Sequence, residues 1–184
     1  MANWFVAIPV RGEGWLERVV ADPPPRVRPF AAADLHLTVA FLGPVDEDAA
    51  RRGWAAAAAI AGEPRDASLG AVVPMGSPRR FSALSALLEE GREEVARFMG
   101  AARGPVLAAA GARPDERPPL PHVPLARLPR RARPGDRAAA LAWVEGLATA
   151  GIPIRLEALA LYTHARPGAE RRFRIVEERP LGAA

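Results

Sequence analysis

Apolar residues recur every second position over residues 3 to 9, where Trp4, Val6 and Ile8 alternate with Phe5 and Ala7 before Pro9 closes the run. That period predicts a strand. Gly12 to Ala21 carries Trp15, Val19 and Val20 at helical spacing, and Pro23-Pro24-Pro25 ends it in an extended connection. Leu35 to Leu42 reads as a second strand, stopped by Gly43-Pro44. Asp46 to Ala61 reads as a helix, with acids in its first turn and Gly62 and Pro64 after its end. Strands follow at Asp66 to Val73 and Ser82 to Leu88, separated by a turn-rich loop from Pro74 to Arg80. Glu90 to Ala102 is helical, Gly104-Pro105 interrupts it, and Val106 to Ala110 adds a further turn. A proline-rich loop, Arg113 to Pro121, leads into His122 to Leu128, a strand weakened by Pro124. Pro134 to Ala150 is the last helix, and Ile152 to Tyr162 and Arg171 to Glu178 are the last two strands, joined by a turn at Pro167-Gly168.

Strands and helices mix without strict alternation, which predicts an α+β fold. The two halves echo each other. Each has a strand with a histidine at its start, then a turn, then an alanine-rich helix: Leu35-His36-Leu37-Thr38-Val39-Ala40-Phe41-Leu42 and Pro121-His122-Val123-Pro124-Leu125-Ala126-Arg127-Leu128. The histidines stand 86 positions apart in a chain of 184, and a duplicated lobe is the economical reading.

Composition removes several kinds of chemistry. With no cysteine there is no disulfide framework, thiolate metal site or cysteine nucleophile. Three scattered histidines have no metal-ligand spacing, and no Gly-rich nucleotide loop is present. No stretch approaches eighteen uninterrupted apolar residues, so no membrane span is expected, and a cytoplasmic monomer is the expectation. Lysine is absent and all 25 basic residues are arginine, yet the net charge is only +4. That surplus permits an anionic partner without requiring one.

What remains is the histidine pair. Residues i and i+2 of a strand share a face, so His36 and Thr38 point the same way. An imidazole beside a hydroxyl can move a proton while the hydroxyl holds an anion. Two imidazoles across a cleft suit phosphodiester cleavage, one taking a proton from water and one giving a proton to the leaving oxygen.

On these motifs, with the opening Trp4-Phe5-Val6-Ala7-Ile8-Pro9, the middle Pro74-Met75-Gly76-Ser77-Pro78-Arg79-Arg80, Arg117-Pro118 and the closing Leu161-Tyr162, the chain resembles the two-histidine phosphoesterases. The resemblance is to their RNA 2′,3′-cyclic phosphodiesterases, also called 2′-5′ RNA ligases, and it runs over nearly the whole chain. It implies one bilobal domain over residues 1–184, with two pseudo-symmetric lobes, each a small mainly antiparallel sheet backed by helices, around a central cleft. It also implies catalysis by His36 and His122, without metal or cofactor, on RNA ends or small cyclic phosphates. The expected base is His122 and the expected acid His36. The family's second motif is His-x-Thr, whereas this chain has His122-Val123-Pro124, which lacks the hydroxyl. Thr38 and Arg127 are then the phosphate-binding candidates, and Phe5, Phe41 and Tyr162 the candidates for stacking a base. Phe41 and Tyr162 also stand where core residues are common. Two alternatives stay open: a small cyclic nucleotide or ADP-ribose cyclic phosphate as substrate, and a degenerate RNA-binding module marked by Pro124.

His164 reads as a surface histidine beside a turn. Residues 103 to 137 hold eight arginines against Asp115, Glu116 and Asp136, and Arg166, Arg171, Arg172 and Arg174 form a second basic cluster beside Glu170. These are either solvated surface or a landing strip for an RNA backbone.

Overall fold

The computed structural model describes residues 2–60, 62–77, 80–166, 168–169 and 171–182. Pro78 and Arg79 of the middle motif, and Pro167 and Glu170 of the last turn, lie outside the described residues. The elements in chain order are β1 (Trp4–Pro9), α1 (Leu16–Val19), β2 (Arg28–Pro29), a 3-10 turn (Ala32–Asp34), β3 (His36–Gly43), α2 (Glu47–Ile60), β4 (Arg65–Met75), β5 (Ala83–Leu88), α3 (Arg92–Ala109), β6 (His122–Arg127), α4 (Pro134–Glu145), β7 (Pro153–Leu156), β8 (Ala158–His164) and β9 (Phe173–Pro180).

The strands form two antiparallel sheets, ordered β3-β1-β8-β9 and β2-β6-β5-β4-β7. Each histidine strand is followed by a turn and a helix, α2 after β3 and α4 after β6, as the internal echo implies. The two histidine strands belong to different sheets and lie against each other. The α+β, two-lobed architecture expected of the sequence is therefore the one observed. One apolar core runs through both sheets, joining Val6, Ile8, Leu37 and Val39 to Leu88, Val123 and Leu125, and taking in Trp54 of α2 and Val95, Phe98 and Met99 of α3. Among the described residues no helix is long and apolar enough to cross a membrane.

Four expectations are corrected. The single strand expected over Ile152 to Tyr162 is two strands in different sheets, with Glu157 between them. Both halves are apolar enough to read as one run, but β7 pairs with β4 while β8 pairs with β1 and β9. α3 passes through Pro105 without a break. Pro105 is exposed, and the flanking Ala102, Val106 and Leu107 are buried on the opposite stripe, so packing outweighs one missing backbone bond. α4 stops at Glu145 rather than Ala150, because Gly146 and Leu147 bond back to Trp143 and Val144 in a tighter turn. Thr149 then leaves the helix and donates its hydroxyl to the Gly70 carbonyl at 2.7 Å. The loop expected from Pro74 begins two residues later, since Pro74 and Met75 still pair in β4 with Leu84 and Ala83. β2, only two residues long, lies within what reads as an extended connection.

Pro124 sits inside β6 without breaking it. β2 reaches only Ala126 and Arg127, so the outer edge of β6 at Pro124 has no paired strand that needs its N–H.

Candidate active site

The site begins with two matching hydrogen bonds. His36 donates from Nδ1 to the Asp34 carbonyl at 2.7 Å, and His122 donates from Nδ1 to the Leu120 carbonyl at 2.6 Å. Each ring is thus held by the backbone two residues before it. A proton fixed on Nδ1 leaves Nε2 to do chemistry. Among the described residues no protein group bonds either Nε2.

A second correspondence lies in the strand registers. In β3, Pro9, Ala7 and Phe5 of β1 face His36, Thr38 and Phe41, and the register skips Val39. In β6, Leu87, Ser85 and Ala83 of β5 face His122, Pro124 and Arg127, and the register skips Leu125. Each histidine strand therefore carries a β-bulge three residues after its histidine. A regular strand would put residue i+5 on the opposite face from residue i, and one extra residue restores the phase. The result is that His36, Thr38 and Phe41 share one face, and His122, Pro124 and Arg127 share another. Phe41 and Arg127 occupy equivalent places in the two lobes.

Phe41 is 56% exposed, far from a core residue. It lines a cavity of about 310 Å³ together with Thr38, His122, Met75, Met99 and Leu120. Arg127, also exposed, opens instead onto a neighbouring cavity of about 480 Å³ with Asp34, His164, Arg166, Arg171 and Arg172. The structure thus brings Thr38, Phe41 and His122 to one cavity and places Arg127 beside it on the His122 face.

Phe5 and Tyr162 do not belong with Phe41 as base platforms. They are 4% and 2% exposed and stack on each other at 4.9 Å. Both also pack on the His36 ring, Phe5 at 4.9 Å and Tyr162 at 5.5 Å, and Phe173 meets His36 edge-on at 5.1 Å. Period-2 alternation already puts Phe5 on the face opposite Val6. What alternation does not show is that this face is closed by other rings. Burial pushes the Tyr162 phenol up, aided by Glu178 and Asp34.

That aromatic housing sets the charge of His36. Burial lowers its pKa from 6.5 to about 4, against opposing contributions from the Asp34 carbonyl and carboxylate, and a charge on His122 lowers it further. His122 is half-buried and is lowered too, by burial, with the Leu120 carbonyl opposing. Both rings are neutral at neutral pH before any anion binds.

Asp34, which carries no strand or motif signal, organises this side. Its carboxylate accepts the backbone N–H of Arg172 at 2.9 Å and of Phe173 at 3.1 Å, while its carbonyl holds His36. It therefore ties the start of β3 to the start of β9. Ser85, facing Pro124, is fully buried, and its hydroxyl has no hydrogen-bond partner among the described residues. His164 is half-buried rather than a surface residue, packing on Phe173 at 5.4 Å and lining the Arg127 cavity.

The basic segment 103 to 137 does not act as one strip. Arg117 forks onto Asp115 through Nε and Nη2, both at 2.8 Å, and Arg103 lies 3.7 Å from the same carboxylate. These partners hold the Asp115 pKa down at about 2. Arg137 is buried and donates to the carbonyls of Phe81 and Ala132. Among the described residues no group of three or more His, Cys, Asp or Glu side chains could hold a metal ion.

No protein-family model matches the chain, and no curated protein matches it in sequence. Solved structures match over almost its whole length. E. coli LigT complexed with 3′-AMP is 19% identical, covers 99% of each chain and superposes with a TM-score of 0.71. TT0787 of Thermus thermophilus is 21% identical, with 97% of each chain covered and a TM-score of 0.67. Kluyveromyces marxianus Usb1 is 12% identical, again with 97% of each chain covered, at a TM-score of 0.56. At these identities the likeness is one of fold, and it is the fold that the two histidine motifs imply.

Proposed function

We propose that this chain is a two-histidine phosphodiesterase that opens the terminal 2′,3′-cyclic phosphate of RNA to a 2′-phosphate. The observation that carries this reading is the duplicated device: two imidazoles, each anchored through Nδ1 to the carbonyl two residues earlier, on bulged strands from two lobes. Water attacks phosphorus, one Nε2 takes its proton, and the other imidazolium gives a proton to the departing 3′-oxygen. One P–O bond forms, one breaks, and the ring opens to a phosphomonoester and a hydroxyl. The same groups run the reverse step, closing a 2′-phosphate onto its 3′-hydroxyl with loss of water, and a 5′-hydroxyl attacking in place of water would open the ring into a 2′-5′ linkage with the 3′-oxygen leaving.

The roles are assigned by burial. His36 resists protonation most strongly, so it serves as the base. His122, on the more open side, takes the extra proton when a phosphate binds and serves as the acid. This reverses the assignment expected from the sequence. Thr38 and Arg127 hold the non-bridging oxygens, and Phe41 offers a ring to the terminal base. A bound 3′-AMP in a structure of the same fold supports a nucleotide as the ligand of this cleft.

The test is incubation of purified protein with RNA ending in a 2′,3′-cyclic phosphate, with excess EDTA. The expected product carries a 2′-phosphate and resists a 3′-specific phosphatase. No turnover, or a 3′-phosphate product, would overturn the reading.

A further inference from the structure

We propose a second anion subsite beside the histidines, formed by Arg166, Arg171 and Arg172 and bordered by the phosphate-holding Arg127, that takes the phosphate on the 5′ side of the nucleotide being opened. The inference rests on the phosphodiesterase reading for its substrate, and on the geometry alone for its anion. The four arginines line one cavity of about 480 Å³, Arg127 from β6 and the others from the segment between β8 and β9. Among the described residues none of the four pairs with a carboxylate. The one acid lining the cavity, Asp34, spends its carboxylate oxygens on the backbone N–H groups of Arg172 and Phe173. Burial lowers the Arg172 pKa and the charge on Arg127 lowers it further, against a smaller pull from Asp34. Like charges gathered without a counter-ion are unfavourable unless an anion completes them. Arg103 and Arg117, by contrast, already share Asp115.

Position turns this into a statement about substrate. Arg127 lies on the β6 face that carries His122, and Phe173, next to Arg172, touches the His36 ring at 5.1 Å. The basic cavity thus borders the β6 face of His122 and the ring packed on His36, and it shares no lining residue with the cavity lined by Phe41. A nucleoside cyclic phosphate has one phosphate and fills only the histidine site. An RNA end has a second phosphate one nucleoside away, which reaches the arginines. The preferred substrate class is therefore a polynucleotide end or a nucleotide with a further phosphate.

The test compares adenosine 3′,5′-bisphosphate with adenosine 3′-phosphate by calorimetry at fixed salt, in the wild type and in the Arg166→Ala/Arg171→Ala double variant. Both side chains are exposed, and circular dichroism checks that the variant folds. The wild type should bind the bisphosphate roughly tenfold or more tightly, and the variant should bring the two ligands to within about twofold. Equal binding by the wild type, or an undiminished preference in the variant, would overturn the subsite. Turnover is measured separately on a dinucleotide and a mononucleotide cyclic phosphate. If the bisphosphate preference stands while neither is hydrolysed, the subsite stands and the phosphodiesterase reading falls.

Discussion

The charge states of two histidines dominate at the scale of the residue. His36 is packed among Phe5, Tyr162 and Phe173, so truncation to alanine would open a hole as well as remove a proton carrier. His36→Asn and His122→Asn keep a donor for the Asp34 and Leu120 carbonyls and lose Nε2. Each should lower kcat/KM by about 10²–10⁴-fold with the fold intact, measured by turnover and near-ultraviolet dichroism. The pH dependence follows from direction. A base lowered to about 4 and an acid also lowered from 6.5 place the maximum of kcat/KM on the acid side of 6.5. Stability moves the other way. The unfolded chain binds a proton at His36 that the folded chain refuses, so stability is full above 6.5 and falls as pH drops towards 4. The gap corresponds to about 3 kcal/mol, and urea unfolding at both ends should show the wild type losing about that much more than His36→Asn. Pro124 and Ser85 form the other residue-scale pair. Pro124→Thr would place a hydroxyl opposite the unpartnered Ser85 hydroxyl and on the His122 face. Turnover of the cyclic phosphate should rise by up to about tenfold for each 1.4 kcal/mol of recovered transition-state binding. A fall in a folded variant would mean that the proline shapes a working pocket.

At the scale of the element, the bulges and the interrupted helix show packing overriding local preference. Val39 and Leu125 are the extra residues that turn Phe41 and Arg127 towards the cleft. Their side chains are ordinary strand residues, so nothing in the sequence announces a bulge there. Pro105 makes the converse case, a helix breaker that does not break α3. It is exposed, so Pro105→Ala should restore one backbone bond with little loss of packing. The helix penalty of about 3 kcal/mol, less about 1 kcal/mol of unfolded-chain entropy, predicts about 2 kcal/mol of stabilisation. Thermal unfolding would show it as a rise of several degrees. An unchanged or lower midpoint would mean that the proline ring packs in α3 in a way that alanine cannot replace.

For the whole molecule, the distribution of charge matters more than its sum. A net charge of +4 is modest, but Arg127, Arg166, Arg171 and Arg172 converge from two lobes while Arg103, Arg117 and Arg137 are engaged within the fold. Contacts to single-stranded RNA release counter-ions, so affinity should fall with salt by about 0.7 log units per decade for each phosphate engaged. Filter binding of a 12-mer should show a slope at least twice that measured for 3′-AMP. Matching slopes would reduce the four arginines to solvated surface.

Most of the element order, the α+β class and the paired histidine strands were legible in the sequence, because period, proline and glycine are local signals and the motif was written twice. Thr38 could be placed beside His36 for the same reason, since an i+2 relation within a strand needs no knowledge of the rest of the chain. The partners of each strand were not legible. Residues 152 to 162 are mostly apolar, broken only by Arg155 and Glu157, and pairing is what shows that β7 joins one sheet and β8 the other. Which aromatic ring is free was likewise a tertiary matter: Phe41 is turned out by a bulge, while Phe5 and Tyr162 are closed in by His36 and Phe173. So was the charge on the histidines, because burial depends on residues more than a hundred positions away. Asp34 shows the reason most directly. It stands just before the first histidine motif and is not part of it, and its carboxylate's role exists only where the start of β9, 138 residues later in the chain, returns to meet it.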